Sequence, residues 1–141
     1  MNIDVLLNAP KHPARDASIS SMRNVLAGDR EAWIDLFADD AVIEDPVGPS
    51  PYDPEGRGHH GKETVAAFWD NIVSQVTIQP NIRQSIACGN ECLNGGIFIL
   101  KAADGSVTWI DMVINYAVDE HGKIKNLRAF WEFDQLEANK V

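Results

Sequence analysis

Basic side chains are scarce in this chain. Twelve Lys and Arg stand against 21 Asp and Glu among 141 residues, leaving a formal charge of −9. Such a deficit argues against nucleic acid or an anionic membrane surface as a partner. No apolar run approaches the roughly 20 residues that a bilayer-crossing helix needs, so no membrane partner is expected. Cysteine is nearly absent. Cys88 and Cys92 are spaced C-x-x-x-C with no nearby Cys or His to complete a zinc set, and they read as thiols in or beside strands. The adjacent pair His59-His60 points its two side chains apart, and no carboxylate spacing supports a metal site around it. No metal and no cofactor are expected. Tyrosine is rare as well, with Tyr52 and Tyr116 the only two.

Residues 1–15 hold a short apolar patch, Val5-Leu6-Leu7, with Asp4 before it and no small-residue cleavage pattern after it. They read as a frayed arm rather than a signal peptide, which leaves the cytoplasm as the expected location. Hydrophobic residues make up 45% of the chain, enough for one core. One domain is therefore expected over residues 16–135, followed by a short tail, 136–141.

Ile19, Met22, Val25 and Leu26 recur at helical spacing, predicting a helix over Ala17 to Ala27 with Asp16 as its N-cap and Gly28 as its stop. Asp29 can cap a second, short helix that buries Trp33, Leu36 and Phe37. Val65, Phe68, Trp69, Ile72, Val73 and Val76 predict a longer helix from Gly61 to about Val76. Between them lie a short strand, Ala41 to Asp45, and a long Gly- and Pro-rich loop from Val47 to His60. After Pro80 the pattern is strand: Ile82 to Cys88, Cys92 to Ala102 with Gly95-Gly96 as a bulge or bend, Ser106 to Val118, and Lys123 to Asp134. Helices first and long antiparallel strands later make an α+β layout. A strongly bent sheet folded over its helices would leave an open-ended apolar pocket, the usual kind of ligand site.

Asp45 closes the apolar strand Ala41-Val42-Ile43-Glu44. Strand residues alternate faces, so Asp45 shares a side with Ile43 and Ala41 while Glu44 takes the other. If Ile43 points inward, so does Asp45. A carboxylate in an apolar cavity is costly unless paired, hydrogen-bonded or protonated, and that cost is tolerable where a base of raised pKa is useful. The bland alternative is a turn opener before Pro46. Asp111 sits within Val107-Thr108-Trp109-Ile110-Asp111-Met112-Val113-Ile114. Trp109 and Val113 share its face, so that face reads as buried, and a buried acid tends to stay neutral. The alternative for Asp111 is a buried or edge carboxylate held by backbone amides.

The stretch Gly28-Asp29-Arg30 followed by Leu36-Phe37-Ala38-Asp39-Asp40-Ala41-Val42-Ile43-Glu44-Asp45-Pro46-Val47-Gly48 resembles the bacterial steroid Δ5-3-ketoisomerases. The resemblance returns at Phe68, at Ile110-Asp111, and at Gly122-Lys123 and Leu127-Arg128-Ala129-Phe130-Trp131, and so runs from about Ser18 to Trp131. It implies an NTF2-like (SnoaL-like) cone of about three N-terminal helices packed in a curved, mostly antiparallel sheet, and a homodimer. The ending Arg128 to Asp134 is most similar to an actinobacterial ketosteroid-isomerase-like subgroup. The implied activity is a double-bond shift in a steroid-like or other bulky apolar ketone through a dienolate. That family is a known instance of carboxyl pKa values tuned by their surroundings. By resemblance Asp45 is its general base and Asp111 its protonated oxyanion donor.

Trp131, Leu127 and Ala129 share a strand face and, with Trp109, Val113 and Phe68, are the expected substrate wall, though core packing explains such residues equally well. The resemblance has one gap. The family's main oxyanion donor is a tyrosine on the first helix, and Ser21 stands there. Serine is too short to replace a phenol's reach, and losing one donor can cost about a hundredfold or more in rate. Two further readings follow: a polyketide-cyclase or dehydratase type of enzyme, which also needs a base beside an enolisable ketone, and a ligand-binding dimer without turnover. An epoxide hydrolase is disfavoured, since Trp109 stands where that chemistry needs an arginine.

Overall fold

The computed structural model describes residues 1–141. Its mixed α+β architecture has five helices and one six-stranded sheet. Helices α1 (Asp4–Leu7), α2 (Pro13–Ala27) and α3 (Arg30–Asp35) precede β1 (Phe37–Glu44). Strand β2 (His59–His60), helix α4 (Lys62–Asn71), a 3-10 turn (Val73–Gln75), β3 (Val76–Cys88), β4 (Glu91–Ala102), β5 (Val107–Val118), β6 (Ile124–Phe130) and α5 (Gln135–Ala138) follow. The sheet order is β2-β1-β6-β5-β4-β3, antiparallel throughout except for the parallel β1–β6 pair. It is curved and unclosed, with the helices against its inner face. No helix is long and apolar enough to cross a membrane.

Local chemistry explains most boundaries. Helix α2 starts earlier than its apolar spacing indicates, because Pro13 takes the first helical position and the Nδ1 of His12 accepts from the Ala14 N–H at 3.1 Å. Asp16 therefore lies in the first turn and is not the cap. Gly28 ends the helix at φ 69°, and the Asp29 N–H then closes onto Asn24 O at 2.9 Å. Asp29 caps α3, its Oδ1 accepting from the Ala32 N–H at 3.2 Å. The long helix stops at Asn71, shorter than its apolar stripe, where Ile72 leaves helical geometry and a 3-10 turn leads into β3.

Residues 1–15 are no frayed arm. Ile3, Leu6, Ala14 and Arg15 are buried, and Asn2 bridges to Asn81 on the free edge of β3. The Asn2 N–H donates to Pro80 O and the Ile82 N–H to Asn2 O, so the segment covers a strand edge that would otherwise be exposed. Pro80 falls inside β3 rather than before it, a position an edge strand tolerates. Arg15 ties α2 to β3, its Nε donating to Ser85 Oγ at 3.1 Å.

The Gly95-Gly96 bend is where expected. Opposite it, the β3 register shifts between Ile82 and Gln84, and the β3 backbone closes onto Gly96. A Cβ on Gly96 would stand 2.2 Å from Asn81 O and 2.8 Å from the Ile82 Cα. Gly96→Ala must push β3 and β4 apart and is expected to lower stability by about 1–3 kcal/mol, measured by urea denaturation. Gly95→Ala, whose Cβ meets nothing closer than Val113 at 4.0 Å, is the matched control.

Candidate functional site

Helices α2, α3 and α4 and the inner faces of β3–β6 enclose a cavity of about 290 Å³. Of its 23 lining residues 18 are hydrophobic, and Asp45 is the only acidic one. Ala41 and Ile43 are fully buried on the inner side of β1, so the alternation that carries them inward carries Asp45 inward as well, one residue past the strand. Glu44 takes the opposite side, where its Oε2 accepts from the Nε of Arg128 at 2.6 Å.

The indole Nε1 of Trp131 donates to Asp45 Oδ1 at 2.6 Å, whereas Oδ2 receives no hydrogen bond from the protein. Asp45 is half-buried, since the cavity reaches it and protein closes around it elsewhere. Desolvation raises its pKa to about 6, and the Trp131 hydrogen bond opposes the rise by favouring the anion. A single carboxylate that titrates near neutrality, with one oxygen anchored and the other unengaged, can exchange a proton with a bound molecule.

Trp131 stacks on Phe133 at 5.7 Å, and Phe133 meets Tyr52 edge-on at 5.2 Å. This aromatic row brings the 47–60 loop over one flank of the cavity, so Tyr52 lines it. The loop is braced from within, for Asp53 Oδ2 accepts from the Gly58 N–H at 2.8 Å. Burial raises the Tyr52 pKa, and the charge of Asp45 adds to that rise.

One polar group of the cavity wall is not marked by the sequence pattern. Tyr116, on β5, is buried in the cavity wall, with its hydroxyl 3.1 Å from Ser21 Oγ on α2. The Nε1 of Trp33 donates to the same Ser21 Oγ at 3.0 Å. Burial drives the Tyr116 pKa far upward; its bond to Ser21 opposes this, and the charge of Asp45 adds to it. A phenol thus reaches the place on α2 where a serine alone is too short.

Asp111 is not in the cavity. Thr108, Ile110, Met112, Ile114 and Tyr116 form the inner face of β5, and the intervening residues point to the outer face of the sheet. Asp111 is exposed there, 3.2 Å from the Arg83 guanidinium. Trp109 and Val113 share that outer face, 41% and 36% exposed, and neither touches the cavity. The expectation for these three residues is corrected together. Both faces of β5 are apolar, and the indole and isopropyl groups taken to mark the core mark the outside. The signal was present in the other register, because positions 108, 110, 112, 114 and 116 carry no charge while the alternate set contains Asp111 and Asn115. Of the remaining expected wall residues, Trp131, Leu127 and Phe68 line the cavity. Ala129 is fully buried on the same side of β6 but is not part of the wall.

A SnoaL-like domain model matches residues 21–127. The chain belongs to the SnoaL-like domain family. Among solved structures, this SnoaL-like protein is similar to RV0760c from Mycobacterium tuberculosis, at 35% identity and TM-score 0.84 over 91% of this chain and 97% of that one. RV0760c in complex with estradiol-17β-hemisuccinate matches at 35% identity and TM-score 0.83, covering 89% of this chain and 98% of that one. The Δ5-3-ketosteroid isomerase from Mycobacterium sp. is 32% identical, with TM-score 0.83 over 93% of this chain and 98% of its own.

The raised pKa of Asp45 has a consequence for folding. Between about pH 4 and 6 the native SnoaL-like domain holds a proton that the unfolded chain has released, so stability falls as pH rises through that window. A shift of this size corresponds to about 3 kcal/mol at most, reduced by water in the cavity. Asp45→Asn is therefore expected to stabilise the protein by about 1–3 kcal/mol above pH 6, and to flatten the pH dependence of urea midpoints between pH 4 and 6.

Proposed function

We propose that this protein is a cofactor-independent isomerase that shifts a double bond in a steroid-like or other bulky apolar ketone, with Asp45 as general base. The observation that carries this reading is the lone carboxylate of raised pKa, held by Trp131 in an apolar cavity. Asp45 takes a proton from the carbon beside the ketone, leaving a dienolate. It then returns that proton to the far carbon of the dienolate, which leaves the double bond conjugated with the carbonyl. Burial supports both halves of the exchange, since a carboxyl group titrating near 6 gains and loses a proton at comparable cost. The flat walls made by Trp131 and Phe68 and the aliphatic floor fit a fused-ring skeleton better than a polar metabolite. Similarity to a steroid isomerase and to a protein crystallised with a steroid ester agrees with that substrate class.

A second reading, a steroid-binding protein without turnover, is favoured by one observation: no second carboxyl group lines the cavity. Turnover separates the two. A β,γ-unsaturated 3-ketosteroid should give the ultraviolet absorbance of a conjugated enone, with kcat/KM rising with pH and levelling off above about 6. Asp45→Asn should lower kcat by about 10²–10⁴-fold. Binding with no turnover, or turnover indifferent to the substitution, sinks the isomerase reading.

The quaternary part of the proposal is a homodimer through the outer face of the sheet. Ile86, Leu93, Ile97, Trp109, Val113 and Phe130 are exposed there across β3–β6, an apolar surface that a lone subunit would leave in water. The double substitution Trp109→Asp and Val113→Asp is expected to convert a dimer to a monomer in sedimentation velocity and to leave far-ultraviolet circular dichroism unchanged. A wild-type monomer at micromolar concentration excludes this interface.

A further inference from the structure

Tyr116, on β5, and Asp45, one residue past β1, share no hydrogen bond and line one cavity. Asp45 stands where the 47–60 loop covers the flank, and the Tyr116 hydroxyl meets α2 and α3 through Ser21 and Trp33. Indole nitrogen can only donate, so Ser21 Oγ accepts from Trp33 in every arrangement. The Tyr116 O–H donates to the same oxygen at 3.1 Å, and Tyr116 is the only polar group besides Trp33 bonded to the Ser21 hydroxyl, so the Ser21 proton can turn to the Tyr116 oxygen when the phenol turns away. Once Ser21 donates to Tyr116, the phenol proton has no acceptor within the protein and is available to the cavity.

We propose that Tyr116 donates the hydrogen bond that holds the ligand's carbonyl oxygen as it becomes an oxyanion, with Ser21 and Trp33 as positioning residues that aim its proton. The assignment rests on the isomerase reading for its catalytic meaning, and its binding consequence is independent of turnover. In the empty cavity Tyr116 donates to Ser21. When a carbonyl or phenolic oxygen enters, the Ser21 hydrogen turns toward Tyr116 and the phenol hydrogen turns toward the ligand. Each bond in the row Trp33, Ser21, Tyr116 then polarises the next, which strengthens the final donor. No bond to Tyr116 is made or broken. The only proton that moves between heavy atoms passes from carbon to Asp45 and back to carbon.

Burial suits Tyr116 to this role. Its phenol resists ionisation, so it keeps the proton it must donate. Tyr52, the alternative phenol, is only half-buried, on a loop at the cavity flank. The serine that interrupts the family pattern on α2 therefore has a structural counterpart. The phenol comes from β5, 95 residues away in sequence, and the shorter side chain leaves room for it.

The test uses the full chain and two probes of one skeleton: a steroidal naphthol, whose emission distinguishes its neutral and ionised forms, and the same ring system without the hydroxyl. Tyr116→Phe is expected to weaken naphthol binding at least tenfold, to shift the bound fluorophore toward its neutral form, and to leave the deoxy probe's affinity within twofold. Ser21→Ala should move the emission part of the way in the same direction. Unchanged naphthol binding in Tyr116→Phe overturns the proposal. So does an equal loss for both probes, which marks a packing role, or a selective loss in Tyr52→Phe instead. In turnover, Tyr116→Phe should lower kcat about a hundredfold or more with a smaller change in KM. A protein that holds the naphthol through Tyr116 yet converts no ketone ends the isomerase reading and leaves the donor assignment intact, whereas wild type that binds neither probe overturns both.

Discussion

A carboxylate inside an apolar cone is the constraint around which the site is organised. Desolvation by the surrounding walls favours the neutral acid, and the indole N–H of Trp131 favours the anion. The balance leaves the Asp45 pKa raised to about 6, above that of an ordinary aspartate. Shifting it requires only a change in wall polarity or in one hydrogen bond, so the residues around Asp45 matter as much as Asp45 itself. Trp131 answers to two neighbours at once, bonded to the carboxylate and stacked on Phe133, which in turn meets Tyr52. The 47–60 loop is thereby coupled to the base through a row of aromatic rings.

The two faces of the sheet divide the labour. The inner face carries the cavity wall, the Tyr116 phenol that meets Ser21 on α2, and the Asp45 carboxylate that meets Trp131. The outer face carries an apolar surface interrupted by the Arg83–Asp111 ion pair. On β5 the outer face betrays its solvent side only through Asp111 and Asn115, between apolar neighbours. This is unusual for an antiparallel sheet, in which hydrophobic and polar residues commonly alternate. A one-residue change in parity exchanges the whole set, so Asp111, Trp109 and Val113 were assigned to the interior together and left it together.

Several features were legible before any coordinates. The side shared by Ala41, Ile43 and Asp45 follows from strand alternation, with Val42 and Glu44 on the other. The stop at Gly28, the cap at Asp29 and the bend at Gly95-Gly96 are local backbone chemistry, readable in a window of a few residues. The helix count was not: three helices were expected, and five are present, three of them before β1. The extra pieces are single turns, Asp4–Leu7 and Gln135–Ala138, too short to show a periodicity. Their order comes from packing on β3 and β5 rather than from propensity.

The amino-acid sequence by itself determined the class of fold, the inward carboxylate and the aromatic that faces it, because each is written in short-range periodicity or in a resemblance spanning most of the chain. Tertiary structure alone decided which side of β5 is interior, that residues 1–15 seal a strand edge, and that Tyr116 meets Ser21. Those outcomes depend on contacts between segments far apart in the chain. A hydroxyl 95 residues distant leaves no mark on the spacing around Ser21, and two apolar strand faces look alike until helices cover one of them.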